Sequence, residues 1–275
     1  MRKILFAMIA AFGLGLLHPA LAQAPTEPTI DVVKKRGKLL VGCIPELPYA
    51  GEDPRTGKWR GFYPLMAADI ARELKVQWEC VPVTWGNAVL ALQAGKVDLI
   101  MTLAALPDRA SVVNFAGPVS RQAFMLVTRK GLSGETWEDF NKPEVRIAVQ
   151  TGTSTELVLN QVAPKATKIG LAPGIDPSLA VSSGRADAFL SSTLSGAIAR
   201  AKNPGVGELL QPTPYVYQEG YVALRYEPDQ RWKGFLQAWA TWNSMNGQVR
   251  EWVKQGLLDS GVPESGLPDM RKAGY

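Results

Sequence analysis

One arginine stands out for its setting. In ALPDR (105–109) the chain leaves an apolar run, LIMTLA (99–104), turns through Pro107 and at once presents Asp108 and Arg109. A guanidinium at the mouth of a sheet is suited to an anion, because its planar fork of donors matches two carboxylate oxygens. The structural alternative is a solvated turn at a strand end. A second feature points the same way. Thr153-Ser154-Thr155-Glu156, after Gly152, reads as a capping box that opens a helix. The free N–H groups and dipole of such a helix end favour negative charge. Capping alone also accounts for a serine at Ser154.

Other chemistry is excluded by what the chain lacks. Its single histidine, His18, falls in a segment with a charged start (Arg2, Lys3), an apolar stretch (4–17) and the small-residue pattern Ala20-Leu21-Ala22. That is the pattern of a secretory signal peptide, residues 1–22, with export and cleavage expected after Ala22. The mature chain then has no histidine, which removes Ser-His-Asp and Cys-His catalysis and histidine metal sites. Two cysteines, Cys43 and Cys80, cannot alone hold zinc or an iron–sulfur centre. In an oxidising compartment they could pair, but both sit in strand-like segments and bridge geometry is demanding, so buried free thiols are favoured. No metal and no cofactor is expected. Loss of Arg2 and Lys3 lowers the formal charge from +5 to +3. The one basic run, Lys34-Lys35-Arg36, reads as a solvated helix end, and no nucleic-acid partner is expected.

The elements that must position these residues alternate. KLLVGCI (38–44), VQWECVPV (76–83) and VDLIMT (97–102) read as strands, with helices over 64–74 and 87–95 between them. The order repeats with strands at 145–149, 167–171 and 187–192 and helices opening at Thr153, Asp176 and Thr193. Alternation of this kind gives parallel sheets covered by helices. GKVDLI (95–100) and GRADAF (184–189) occupy equivalent points of the two runs and suggest two similar lobes. A strand at 221–226 and helices over 229–245 and 248–257 follow. Trp232, Phe235, Leu236, Trp239 and Trp242 fall on one broad helical face, which is expected to be core packed back on the first lobe.

These pieces resemble the family 3 bacterial solute-binding proteins, the periplasmic receptors of amino-acid ABC transporters. The resemblance rests on RGKLLVG (36–42), GKWRGFYPLMAADIAREL (57–74), PVTWGNAVLALQAGKVDLIM (82–101), LPDRASVVNFAGP (106–118), VQTGTSTE (149–156), GRADAFL (184–190) and FLQAWATWNSMNGQVREWVKQG (235–256). It implies the α/β type II periplasmic binding protein fold: two lobes, each a helix-covered, mainly parallel sheet, joined by two hinge strands near 124–129 and 217–224. Lobe 1 would comprise residues 30–126 and 222–257, lobe 2 residues 127–221, and a polar tail 258–275. It further implies a monomer that delivers a small carboxylate-bearing ligand to an ABC permease in the inner membrane.

By the same resemblance Arg109 is the carboxylate clamp, helped by the Thr102 hydroxyl and by Thr153 and Ser154 of the other lobe. Trp85 and Tyr49 are the pocket aromatics, although Trp85 could simply staple the following helix. Two departures concern the ligand's nitrogen. The acid that usually holds an α-ammonium is Ser192 here, and the family's G-F-D-x-D reads Gly61-Phe62-Tyr63-Pro64-Leu65. Ala104 stands where many relatives offer a hydroxyl. A buried ammonium without an anion is costly, so the expected ligand is a carboxylate whose α-nitrogen is absent, substituted or held by Glu46. The competing readings are an enzyme on the same fold, resembling cyclohexadienyl dehydratase, and a sensory or redox-associated binding module.

Overall fold

The computed structural model describes residues 27–270 apart from Pro173 and Pro204. The signal peptide expected at 1–22, with its histidine, lies outside the described residues. In chain order the elements are α1 (Thr29–Arg36), β1 (Lys38–Cys43), a small hairpin of β2 (Gly51–Glu52) and β3 (Trp59–Arg60), α2 (Phe62–Leu74), β4 (Gln77–Pro82), α3 (Ala88–Gln93), β5 (Leu99–Ala104), the single turn α4 (Pro107–Ala110) and β6 (Val113–Thr128). Then come α5 (Trp137–Phe140), β7 (Arg146–Gln150), α6 (Ser154–Val162), β8 (Thr167–Leu171), α7 (Ser178–Ser182), β9 (Ala188–Ser192), α8 (Thr193–Lys202), β10 (Leu209–Leu210), β11 (Tyr217–Arg225), α9 (Arg231–Met245) and α10 (Gln248–Asp259).

The strands lie in the order β4-β1-β5-β11-β6-β9-β7-β8. β4-β1-β5 and β8-β7-β9 are parallel triplets, and β11 and β6 run antiparallel between them. β6 belongs to both halves: Val113–Ala123 pairs with β11, and Phe124–Thr128 pairs with β9. Period-two patterning explains the second half. Leu126, Ile147, Val149 and Leu190 enter one core cluster, while Val127, Ala148 and Phe189 enter another on the opposite face.

The two triplets share one backbone clip. Asp98, before β5, donates its N–H to Leu40 O at 2.8 Å, and its Oδ2 accepts from Leu40 N–H at 2.7 Å. Asp187, before β9, donates to Arg146 O at 2.8 Å and accepts from Arg146 N–H at 2.9 Å. The Asp shared by GKVDLI and GRADAF is thus the acceptor that ties each third strand to its first. Their electrostatics differ. Burial pushes the Asp98 carboxyl up despite Leu40 N–H and Arg36. Arg146, aided by Arg129, holds Asp187 well below the usual carboxylate range.

The C-terminal helices cover the first half. Trp232, Leu236, Trp239, Val249, Trp252, Val253 and Leu257 join its core. Trp232 Nε1 donates to Asp98 O at 3.3 Å, and Trp239 Nε1 to Asp69 Oδ2 at 2.8 Å. Trp242 departs from the expected face and is 68% exposed. At about 100° per residue it lies roughly 80° from Trp232, outside the buried stripe, where Asn243 sits instead. The segment expected as a polar tail also differs: α10 runs to Asp259, and Val262 is buried in the core.

The cysteines form a disulfide rather than free thiols. β1 and β4 are adjacent parallel strands with Val41 opposite Cys80, and the two cysteine Cα atoms lie 5.5 Å apart, within bridging range. Strand adjacency, which the sequence left open, decides the matter. No helix among the described residues is long and apolar enough to cross a membrane.

Candidate ligand-binding cleft

A cleft of about 580 Å³ opens at the C-terminal ends of both parallel triplets, the usual ligand position in open α/β sheets. Arg109, Thr102, Ala104, Trp85, Tyr49, Glu46, Thr153, Ser154 and Ser192 all line it.

Arg109 is carried by α4, which Pro107 starts. Its Nη1 makes one long contact, 3.4 Å to Ala104 O, and it forms no ion pair among the described residues. Burial pulls its pKa down, with only the neighbouring Asp108 acting against this. Ala104 contributes this carbonyl and a buried methyl. From the other half, Thr153 and Ser154 begin α6. The expected capping box is not formed. Glu156 accepts from Gly152 N–H at 2.9 Å, and Thr153 Oγ1 donates to Gln150 O at 2.7 Å. Gly152 is at φ 73°, a turn that directs Glu156 to it. The α6 N-terminus therefore has no side-chain cap among the described residues, which leaves orphan donors at the cleft.

Thr102 differs from its expected role. Tyr63 OH donates to Met101 O at 2.7 Å and lies 2.6 Å from Thr102 Oγ1. Because the phenol proton is committed, the Thr102 hydroxyl donates to Tyr63 and retains only acceptor capacity. The residue is also at φ 48°, an unusual conformation for a β-branched side chain. Gly220 crosses beside it. A Cβ there would meet Ser120 Oγ at 2.5 Å and Thr102 Cβ at 2.9 Å, so only glycine fits.

The aromatic wall is built from unlike parts. Tyr49 is 6% exposed and packs edge-on against Tyr63 and Trp85, with ring centroids 5.5 and 5.1 Å away. Its hydroxyl is neighboured by Ser195, Ser192 and Gln122 side chains, and burial raises its pKa. Tyr49 thus joins the two halves and offers little open ring face. Trp85 is half-buried and keeps more of its surface toward the cleft. Ser192 caps α8, accepting from Ser195 N–H at 3.4 Å.

Glu46 keeps contact with water. Even so, the surrounding walls, and after them Asp176, hold its carboxyl above the usual range, while Lys202 and the Trp85 side chain oppose the shift. Sequence reasoning missed Asp176, Lys202, Gln122 and Gln218. The signal for the last two was a glutamine inside each crossing strand, SRQAF (120–124) and VYQEG (216–220). Among the described residues no group of three or more His, Cys, Asp or Glu side chains is placed to hold a metal. The arrangement combines an unpaired cation, orphan N–H donors, an aromatic wall and a cluster of two acids and a lysine. That is equipment for holding a small charged molecule.

The chain is similar to several known binding proteins. A probable amino-acid ABC transporter periplasmic-binding protein of Sinorhizobium fredii is 25% identical over 251 residues, spanning 86% of this chain and 77% of its own. The glutamate/glutamine/aspartate/asparagine-binding protein BztA of Rhodobacter capsulatus is 25% identical over 84% of this chain and 70% of its own. The crystal structure of the ancestral amino acid-binding protein AncCDT-1, a precursor of cyclohexadienyl dehydratase, matches with a TM-score of 0.74 and 28% identity, covering 84% of this chain and 100% of its own. The family model of the bacterial extracellular solute-binding proteins, family 3, matches residues 39–259, and the chain belongs to that family.

Proposed function

We propose that this solute-binding protein is exported to the periplasm, closes its cleft as a monomer on an amino acid or related small carboxylate, and presents the closed form to an ABC permease. The observation that carries this is Arg109, a cleft guanidinium that forms no ion pair among the described residues, taken with the N-terminus of α6 in the other half, which has no side-chain cap among them. A carboxylate between them satisfies both and binds the closed state better than the open one, which is what drives closure. In this reading lobe 1 holds both chain ends, and lobe 2 is the portion between the crossing strands. The relatives named for amino-acid transport support the ligand class.

A thermal-shift screen of amino acids and their deamino analogues tests this. A ligand at a hundred times its Kd stabilises by about 2.7 kcal/mol. A screen in which no carboxylate raises the melting temperature sinks the reading. The second reading is an enzyme, favoured by the raised Glu46 carboxyl beside Trp85 and by the AncCDT-1 likeness. We hold the protein to be a receptor and not an enzyme. A cyclohexadienyl acid incubated with it should therefore be recovered unchanged, and turnover that Glu46→Gln abolishes would reverse that choice.

A further inference from the structure

The crossing strands carry a row of unused acceptors. Ser120 lies opposite Gly220, and Gln122 opposite Gln218, in the β6–β11 ladder. Alternate residues on a strand and direct cross-strand partners share a face, so these side chains stand together. Ser120 Oγ, Gln122 Oε1 and Gln218 Oε1 are all buried without a hydrogen-bond partner among the described residues. Gln122 is 6% exposed, and both glutamines line the cleft. Gly220 also pairs with Ala104, whose carbonyl touches Arg109. Gln218, two residues on, is about 7 Å further along the strand. The acceptors thus lie a short step from the carboxylate clamp. Buried acceptors are normally paired, and leaving one without a donor is costly. Two such atoms in cross-strand register mark a place where a donor belongs.

The Gln122 side chain also lies beside Tyr49, where it works against the burial that raises the phenol pKa. The acid of this cleft loop, Glu46, faces Trp85, Asp176 and Lys202, and its charge also reaches Tyr49.

We infer that the Gln122 and Gln218 carboxamide oxygens form a neutral seat for the ligand's nitrogen, a group bearing at least two N–H bonds such as an α-ammonium. This rests on the receptor reading above. It specifies that the nitrogen is recognised, and by amide oxygens rather than by Glu46 or an aspartate. Three N–H bonds of an ammonium, or two of an amide, can serve both oxygens at once.

The test is calorimetry with L-arginine, L-glutamine and L-cystine, each beside its deamino analogue: 5-guanidinopentanoate, 4-carbamoylbutanoate and 3,3′-dithiodipropionate. In the parent protein the amino acid that binds should exceed its analogue by about 100-fold or more. Gln122→Met and Gln218→Met should each reduce that preference by about tenfold or more, with the analogue's Kd unchanged. Gln122→Glu, which keeps the length and adds charge, should raise the preference instead. The seat is refuted if the analogue binds as well as the amino acid, or if both methionine variants keep the parent's preference. Equal loss of both ligands in these variants would also refute it, because that is a structural effect. If none of the six probes binds and only carboxylates without an α-nitrogen raise the melting temperature in the thermal-shift screen, the receptor reading stands and the seat is refuted; if no carboxylate does, both fail.

Discussion

Replacing Arg109 with methionine should separate binding from folding. Methionine keeps most of the reach of the side chain and removes its charge and donors. Without ligand, the guanidinium makes one contact at 3.4 Å and no ion pair among the described residues. A hydrogen bond that long is at the weak end of the range, and partial burial already disfavours the cation. The two effects offset, so the ligand-free variant should fall within about 1 kcal/mol of the parent, a melting shift of about 2–4 °C at most. With a carboxylate bound, two charge-assisted hydrogen bonds of about 1.5–3 kcal/mol each disappear. The loss of about 3–6 kcal/mol weakens binding about 10²- to 10⁴-fold. Denaturant unfolding without ligand gives the first number, and calorimetry with a ligand from the thermal-shift screen gives the second. Arg109→Lys should recover only part of the affinity, because a point charge cannot reproduce the fork. The reasoning fails if Arg109→Met unfolds more than about 2 kcal/mol early without ligand, or if it binds within tenfold of the parent.

Three further outcomes follow from the same structure. Glu46 has a folded-state pKa above its unfolded one, so its ionised form is disfavoured by folding at neutral pH and the penalty is relieved as pH falls. Glu46→Gln should raise ligand-free stability at pH 7 by less than about 1 kcal/mol, given its contact with water. That gain should shrink as pH drops through the raised value, and denaturant melts at two pH values check the sign. Replacing Cys43 and Cys80 together with serine opens a loop with a sequence separation of 37 and should cost about 3–4 kcal/mol in denaturant unfolding. Trp239→Ala removes a buried indole and its bond to Asp69 and should cost about 3–5 kcal/mol. Trp242→Ser, at an exposed position, should stay within about 0.5 kcal/mol; similar losses for the two would overturn the assigned helix face.

What the sequence made legible was local or periodic. α2, α6, α8 and the strands carry their own apolar spacing, and the Asp98–Asp187 correspondence stood in two short repeats before its clip geometry was visible. The positions that went astray depend on which strand lies beside which. Cys43 and Cys80 look like isolated strand residues until β1 and β4 are adjacent. The Thr102 hydroxyl looks free until Tyr63, on another element, reaches Met101 and takes its proton. Thr153 and Glu156 have capping-box spacing, but the Gly152 turn takes Glu156 one residue earlier. Gln122 and Gln218 are nearly a hundred residues apart, and only the β6–β11 register pairs them.

The strand order also bears on how the chain acquires its shape. β11 lies between β5 and β6 in the middle of the first half, yet it is among the last elements made, and α9 and α10, which close that core, come later still. The second half has β7, β8 and β9 in hand well before β11 emerges. The first half, although begun first, must hold an unfilled slot in its sheet with β5 exposed along one edge. Long-range pairing of this kind is slow, and an unpaired strand edge invites association while it waits. A chain released before residue 217 should therefore carry a second half with its own strands in place and a first half unable to close, and binding of amide protons into protection should come last at β5.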